Sequence, residues 1–89
     1  MITKKITVKN KLGLHARAAV KLVNLANGFE SSVKIEKDGN IIDGKSVLGT
    51  LTLAATKGSS ITLRITGKDE EIALKSLEAL INDKFYEDE

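Results

Sequence analysis

Residues 32–42 read SVKIEKDGNII, and the pattern of apolar and turn residues in this stretch predicts its structure. Val33 and Ile35 alternate with polar residues, which is the pattern of a strand with one buried face. An Asp-Gly pair follows at residues 38–39 and favours a tight two-residue hairpin, after which two isoleucines begin the returning strand. The sequence therefore predicts an antiparallel pair of strands in the middle of the chain.

On the N-terminal side of this hairpin, the pattern predicts one strand and one helix. Alternating apolar residues predict a first strand over residues 2–8. From Ala16 to Asn27 the apolar residues recur at helical spacing, and Gly28 ends the helix. The buried face of this helix is predicted to consist of Ala19, Leu22, Val23 and Ala26.

On the C-terminal side, the interpretation of residues 46–55 stays open between two structures. Apolar residues at 51, 53 and 55 fit a strand, whereas Ser46 as N-cap favours a short helix, which we prefer. Residues 61–65 alternate as a clean strand, and a last helix follows with acidic residues in its first turn. Its predicted inward residues are Ala73, Leu74, Leu77, Leu80 and Ile81.

The predicted element order is βαββαβα in a single domain, residues 1–89. The two long helices each carry one apolar stripe, so both must cover the same face of a four-stranded antiparallel sheet. This is an α+β fold, an open-faced sandwich with the helices packed on one face. Such folds carry many unrelated activities, so the architecture alone names no function.

Composition excludes several classes of protein. The 14 basic and 12 acidic residues give a net charge of +2, too small to indicate nucleic-acid binding. The three aromatic residues, Phe29, Phe85 and Tyr86, form no stacking platform for bases on a central strand. Without cysteine, and with one histidine, no disulfide and no metal site are expected. No apolar run suits a membrane span or a secretion signal, so we expect a cytoplasmic protein.

His15 is the only histidine, and it lies where a loop meets the predicted first helix. The first backbone N–H groups of a helix lack intrahelical partners and favour a bound anion such as phosphate. Neutral imidazole is a nucleophile near neutral pH, and Arg17 adds a cationic fork beside it. These residues alone leave two alternatives open: a phosphoryl-accepting site, or an exposed histidine beside a solvated arginine.

Two motifs make the chain similar to a known family. GLHARAA, residues 13–19, resembles the active-site signature of HPr, the histidine-containing phosphocarrier family of the bacterial phosphotransferase system. GKSVLGTLTLAATKGSSITL, residues 44–63, resembles the family's second signature around a regulatory serine. Length and element order agree along the whole chain. The resemblance implies a carrier with a transient phosphohistidine, not an independent enzyme, and no cofactor.

The resemblance also implies how the phosphoryl group moves. Phosphorylated enzyme I would deliver it to Nδ1 of His15, and the histidine of a sugar-specific IIA protein would take it. Arg17 matches the family's phosphoryl-stabilising arginine. Ala18 departs from the pattern, since most members carry proline there. Because proline in a first helical turn mainly presets φ, and alanine is an excellent helix former, we expect function to survive.

Ser46 matches the serine that HPr kinase/phosphorylase phosphorylates as a regulatory mark in some members. The same residue is the predicted N-cap of the short helix, and the two roles are compatible. Some HPr families keep this serine without the kinase. Whether Ser46 is phosphorylated therefore stays open.

The resemblance further implies a docking patch around His15. A short helix seldom buries apolar residues at 47, 48 and 51 together, and exposed apolar clusters tend to be interaction sites. The predicted members of this docking patch are Ala16, Val20, Asn24, Asn27, Val47, Leu48 and Leu51. Arg17, Lys21 and Lys45 would form a basic rim that suits acidic partners.

Three other interpretations compete with a sugar-transport carrier. The chain could be an HPr-like regulator that binds a catabolite-control transcription factor or an enzyme without relaying phosphate. It could also be a phosphocarrier of a nitrogen-related branch, or a domain that binds a small molecule or RNA. Retention of both His15 and Arg17 argues against the first, and no sequence feature supports the last. A monomer with a frayed acidic tail at residues 87–89 is expected.

Overall fold

In the computed structural model, the elements follow the predicted order βαββαβα. The structure describes residues 1–86, so the predicted acidic tail lies outside the described residues. The elements are β1 (Ile2–Thr7), α1 (Ala16–Asn27), β2 (Ser32–Lys37), β3 (Asn40–Asp43), α2 (Val47–Thr52), β4 (Ser60–Thr66) and α3 (Glu70–Asn82), followed by a 3₁₀ turn at Lys84–Tyr86.

The four strands form one sheet in the order β1-β4-β2-β3, and every neighbouring pair is antiparallel. The predicted hairpin between β2 and β3 is confirmed, with Lys37 opposite Asn40. Asp38 and Gly39 both adopt positive φ, 52° and 85°, as the turn preferred between twisted strands requires. β4 is a central strand, because it pairs with β1 on one side and with β2 on the other.

One face of the sheet and the three helices enclose the core. Ile61, Leu63 and Ile65 of β4 are fully buried, as their alternation predicts. The buried residues of α1 include all four predicted ones, and Ala73, Leu77, Leu80 and Ile81 of α3 are buried while Leu74 is partly so. Each fully buried leucine or isoleucine contributes about 1.5–3 kcal/mol, so this face holds the fold together.

The open question at residues 46–55 is settled in favour of a helix. The Ser46 Oγ accepts a hydrogen bond from the Gly49 N–H at 3.1 Å, and the helix α2 begins at the next residue. This satisfies one backbone donor that a helix start leaves without a partner. The prediction of Ser46 as N-cap is therefore confirmed.

The C-terminal 3₁₀ turn packs against the core, a contact that the sequence pattern does not predict. Lys84 and Phe85 both adopt positive φ, which reverses the chain after α3, and Phe85 is fully buried in the core. The Lys21 Nζ of α1 donates to the Phe85 carbonyl oxygen at 2.6 Å. The last turn is thus fastened to the first helix.

Asp69, directly before α3, connects two loops through hydrogen bonds. Its carboxylate accepts hydrogen bonds from the Ser31 hydroxyl and from the backbone N–H groups of Glu30 and Ser31, at 2.9 and 3.0 Å for the latter two. These bonds join the loop after α1 to the loop before α3. They also hold the pKa of the Asp69 carboxyl below its ordinary value, the Ser31 hydroxyl having the largest effect. Among the described residues, no helix has the length and apolar character to cross a bilayer.

Candidate functional site

The loop that carries His15 begins with a rigid turn. Asn10 is fully buried, and its Nδ2 donates to the Gly13 carbonyl oxygen at 2.7 Å. In return, the Gly13 N–H donates to the Asn10 carbonyl oxygen at 3.2 Å. Gly13 has φ of +66°, a left-handed conformation that glycine adopts without strain. Two hydrogen bonds and a glycine at positive φ thus stabilise the turn at residues 10–13, directly before the histidine.

This turn is seated on the segment that follows α2. The Leu14 N–H donates to the Ala55 carbonyl oxygen at 2.9 Å, and the Leu14 side chain is buried. Gly13 lies so close to Ala55 that a Cβ at position 13 would clash with the Ala55 carbonyl oxygen. The backbone before His15 is thus fixed by a contact that only glycine allows.

His15 is the N-cap of α1. Its backbone is extended, with φ −78° and ψ 178°, and its carbonyl oxygen accepts the first helical bond, from the Ala19 N–H at 2.8 Å. The imidazole Nδ1 accepts a hydrogen bond from the Arg17 N–H at 3.3 Å. Because an accepting ring nitrogen carries a lone pair, this bond assigns the proton of the neutral ring to Nε2.

This geometry defines what the site can do chemically. The Nδ1 lone pair is directed at the Arg17 N–H, one of the backbone N–H groups of the first turn of α1, where the helix is partly positive. An electrophilic phosphorus that bonds to Nδ1 would bring its oxygens to those same N–H groups. Arg17 is exposed beside them and presents a guanidinium to an incoming anion. The arrangement suits a nucleophile that receives and releases a phosphoryl group.

The residues of the predicted docking patch lie on two helices that contact each other, α1 and α2. Those on α1 are all exposed: Ala16, Val20, Asn24 and Asn27. On α2, Leu48 is 78% exposed, and Val47 and Leu51 are half-buried. The expectation that α2 does not bury all three apolar residues is confirmed.

The two lysines of the predicted basic rim have partners within the molecule. Lys21 donates to the Phe85 carbonyl, and the Lys45 Nζ donates to the Phe29 carbonyl oxygen at 2.9 Å. Both ammonium groups therefore donate hydrogen bonds to backbone carbonyl oxygens within the molecule. Such bonds join residues far apart in sequence, which is why charge patterning alone did not indicate them.

Other residues of the site were missed by sequence reasoning. Asn10 holds the His15 loop through its side-chain amide, and Ala55 holds it through its backbone carbonyl. Of the residues in these contacts, only Gly13 is of a type that indicates a turn in the sequence. Ala54 adopts positive φ, 50°, at the end of α2, an uncommon conformation for a residue with a Cβ. Within residues 1–86, no group of three or more histidine, cysteine or acidic side chains is placed to hold a metal ion.

Comparison with known proteins finds relatives that span nearly the whole chain. The family described as "PTS HPr component phosphorylation site" matches residues 2–83. The phosphocarrier protein HPr of Cupriavidus necator is 47% identical over 89 residues, which cover all of both chains. The HPr-like protein Crh of Halalkalibacterium halodurans is 46% identical over 81 residues, covering 91% of this chain and 96% of that one.

Solved structures show the same fold. The crystal structure of HPr-C-His from Thermoanaerobacter tengcongensis superposes with a TM-score of 0.96 at 40% identity, covering both chains fully. An HPr dimer from the same organism has a TM-score of 0.79 at 41% identity, covering 98% of this chain and all of that one. The chain thus belongs to the HPr family, the phosphocarrier proteins of the phosphotransferase system, which are carriers and not catalysts.

Proposed function

We propose that the chain takes a phosphoryl group from phosphorylated enzyme I onto Nδ1 of His15 and passes it to a sugar-specific IIA protein. The observation that carries this proposal is the hydrogen bond from the Arg17 N–H to Nδ1. It directs the lone pair of the only imidazole in the chain at the start of α1. The family to which the chain belongs supports the same reaction.

In the proposed transfer, the Nδ1 lone pair attacks the phosphorus and the P–N bond to the donor histidine breaks. The electrons of that bond return to the donor ring. The proton on Nε2 of His15 is retained in this step, so the phosphorylated ring carries one positive charge, which the negative phosphoryl oxygens offset until Nε2 releases its proton to solvent. Phosphoryl oxygens replace Nδ1 as acceptors for the first N–H groups of α1, and Arg17 neutralises their charge. The same steps in reverse deliver the group to the acceptor histidine.

The docking patch is proposed to bring these partners to His15. Ala16 and Val20 on α1 and the exposed Leu48 on α2 offer a small apolar surface near the nucleophile. Phosphoryl relay requires brief encounters, which a small interface with charged surroundings favours. We propose a monomer in the cytoplasm as the active form, while the relative from Thermoanaerobacter tengcongensis is described as a dimer.

Regulation through Ser46 is part of the proposal. A phosphate there would add about −1.5 to −2 charge next to Val47 and Leu48. An acidic, partly apolar partner would then meet repulsion at the docking patch. HPr kinase/phosphorylase is the enzyme class that would place this mark.

A regulatory role without relay is the second candidate. The resemblance to HPr-like proteins Crh, at 46% and 40% identity, favours it, since one of them is described as a catabolite repression protein. In that case the chain would bind a catabolite-control transcription factor. His15 and Arg17 favour the carrier, because a pure binding protein has no use for a nucleophile posed at a helix start.

The test is incubation with enzyme I and phosphoenolpyruvate, followed by intact mass and mapping of the modified residue. A carrier gains one phosphoryl group that mild acid removes, as expected of phosphohistidine, and His15→Ala gains none. Addition of a IIA protein then returns the chain to its original mass. Acid-stable label, or label on His15→Ala, would contradict the assignment to His15, and a label that no IIA protein removes would favour the regulatory role.

A further inference from the structure

Leu12 is a large, exposed apolar side chain three residues before the nucleophile, and the docking patch does not include it. Its exposed fraction is 66%. Two hydrogen bonds between Asn10 and Gly13 close the turn on which it lies, directly before the loop of His15. An exposed leucine on a mobile loop would need no explanation, but one on a rigid turn presents a fixed surface.

The size of a protein interface places Leu12 inside any docking footprint centred on His15. Three residues of chain span at most about 11 Å. An ordinary interface covers about 800 Å² of each partner, which corresponds to a disc of roughly 16 Å radius. An interface of this size centred on Nδ1 therefore reaches as far as Leu12.

The segment after α2 connects the docking patch to the loop that carries Leu12. The Ala54 N–H donates to the Leu51 carbonyl oxygen at 3.2 Å, and the Leu14 N–H donates to Ala55. These bonds place the exposed Ala54 between α2 and the turn of Leu12. The exposed Leu48 thus lies on a helix that this segment ties to the loop of Leu12 and His15.

Basic residues flank Leu12. Lys11 adjoins it in sequence, Lys9 lies three residues before it, and both are exposed. The Val8 N–H donates to the Ser59 carbonyl oxygen and the Gly58 N–H donates to the Val8 carbonyl oxygen, both at 2.8 Å, which brings the exposed Lys57 to the same end of the sheet. An apolar side chain among ammonium groups fits an apolar pocket with an acidic rim.

We propose that Leu12 is a second docking anchor, which enters an apolar, acid-rimmed pocket of the protein that delivers the phosphoryl group to His15. Lys9 and Lys57 steer that protein to it. The inference rests on the proposed function, because it names the chemistry of the donor that this function requires. It predicts that docking takes place on both sides of the nucleophile.

The experiment measures transfer from phosphorylated enzyme I as a function of the chain's concentration, which separates KM from kcat. Leu12→Ser should raise KM about tenfold, the effect of losing one buried leucine, with a much smaller change in kcat. Leu12→Met should recover most of this loss, since methionine fills an apolar pocket. Ile72→Ser is the matched control, because Ile72 is 63% exposed at the end of α3 away from the His15 loop.

A second arm tests the charge. Lys57→Gln should raise KM severalfold at low ionic strength, and the difference should shrink as salt increases. Lys68→Gln, an exposed lysine at the opposite end of β4, is its control.

Unchanged KM in Leu12→Ser, or equal effects of Leu12→Ser and Ile72→Ser, would overturn the inference while the relay stands. If the wild-type chain accepts no phosphoryl group from enzyme I at all, the proposed function fails, and this inference fails with it.

Discussion

The Leu14 N–H and the Ala55 carbonyl oxygen are joined by a 2.9 Å hydrogen bond between two loops 41 positions apart in sequence. Through this bond the segment after α2 holds the residue that directly precedes the nucleophile. The pose of the imidazole therefore depends on both loops as well as on α1. A substitution at Gly13 is the most direct way to disturb this contact between the two loops.

Gly13→Ala should lower the free energy of unfolding by at least about 2 kcal/mol, because a Cβ there adds left-handed strain and a clash with Ala55. Gly39→Ala is the matched control: its φ is +85°, but nothing lies within 4 Å of the added Cβ, so only strain of about 1 kcal/mol is expected. Urea denaturation measures both. Equal losses would show that the Gly13–Ala55 contact does not constrain the loop.

Ala18→Pro should raise the free energy of unfolding by roughly 0.4–1 kcal/mol through a more restricted unfolded chain. Ala18 is the third residue of α1, and the backbone bonds of the helix begin with the Ala19 N–H, so no helical bond is lost. Thermal and urea unfolding provide the measurement. Since Ala18 is fully buried, a fall in melting temperature would mean that the ring overpacks the core by more than this gain.

Ser46→Asp should slow phosphoryl transfer from enzyme I while the free energy of unfolding stays within about 0.5 kcal/mol of wild type. Aspartate caps a helix as serine does, so the bond to the Gly49 N–H is retained, and only charge is added at the docking patch. Ser46→Asn caps without charge and serves as the control. The pair is measured by transfer rate and by unfolding.

A transfer rate that stays at the wild-type value in Ser46→Asp, together with lowered stability, would mean that Ser46 is only a structural cap. Equal slowing by Ser46→Asn would assign the effect to shape and not to charge.

Asp69 should make the fold sensitive to acid. Because hydrogen bonds from Ser31 and Glu30 lower its pKa in the folded chain, the stability it contributes is full above the unfolded pKa and is lost as pH falls through the folded one. Asp69→Asn should therefore be less stable than wild type at pH 7, and the difference should narrow below about pH 4. Unfolding by urea from pH 7 to pH 2.5 measures it, with Glu71→Gln in the same turn as control. A difference that stays constant with pH would contradict this role.

Much of the fold follows from local patterns. The Asp38-Gly39 pair predicts the hairpin because few residues tolerate positive φ at both turn positions. The apolar stripe of α1 predicts which face is buried, and the position of His15 at the helix start follows from the end of that stripe.

The features that could not be predicted depend on tertiary contacts. Phe85 reaches the core because Lys84 and Phe85 adopt positive φ, and no glycine in the sequence indicates this conformation. Lys21 is used to bind a carbonyl 64 positions away, and Asp69 binds Ser31 and Glu30 where the pattern indicates an ordinary acidic first turn. The Ala55 carbonyl oxygen, which accepts from the Leu14 N–H, is a backbone group. Every residue has one, so the side chains in the sequence do not indicate this bond.

The most direct test of the central claim is the nitrogen spectrum of the imidazole in ¹⁵N-labelled chain, before and after phosphorylation by enzyme I and phosphoenolpyruvate. His15 is the only histidine, so the ring signals belong to it alone. We predict that coupling to phosphorus appears at Nδ1 and that the Arg17 amide shifts as its acceptor changes from nitrogen to a phosphoryl oxygen. Coupling at Nε2, or a phosphorylated chain whose imidazole shows no coupling, would contradict the account.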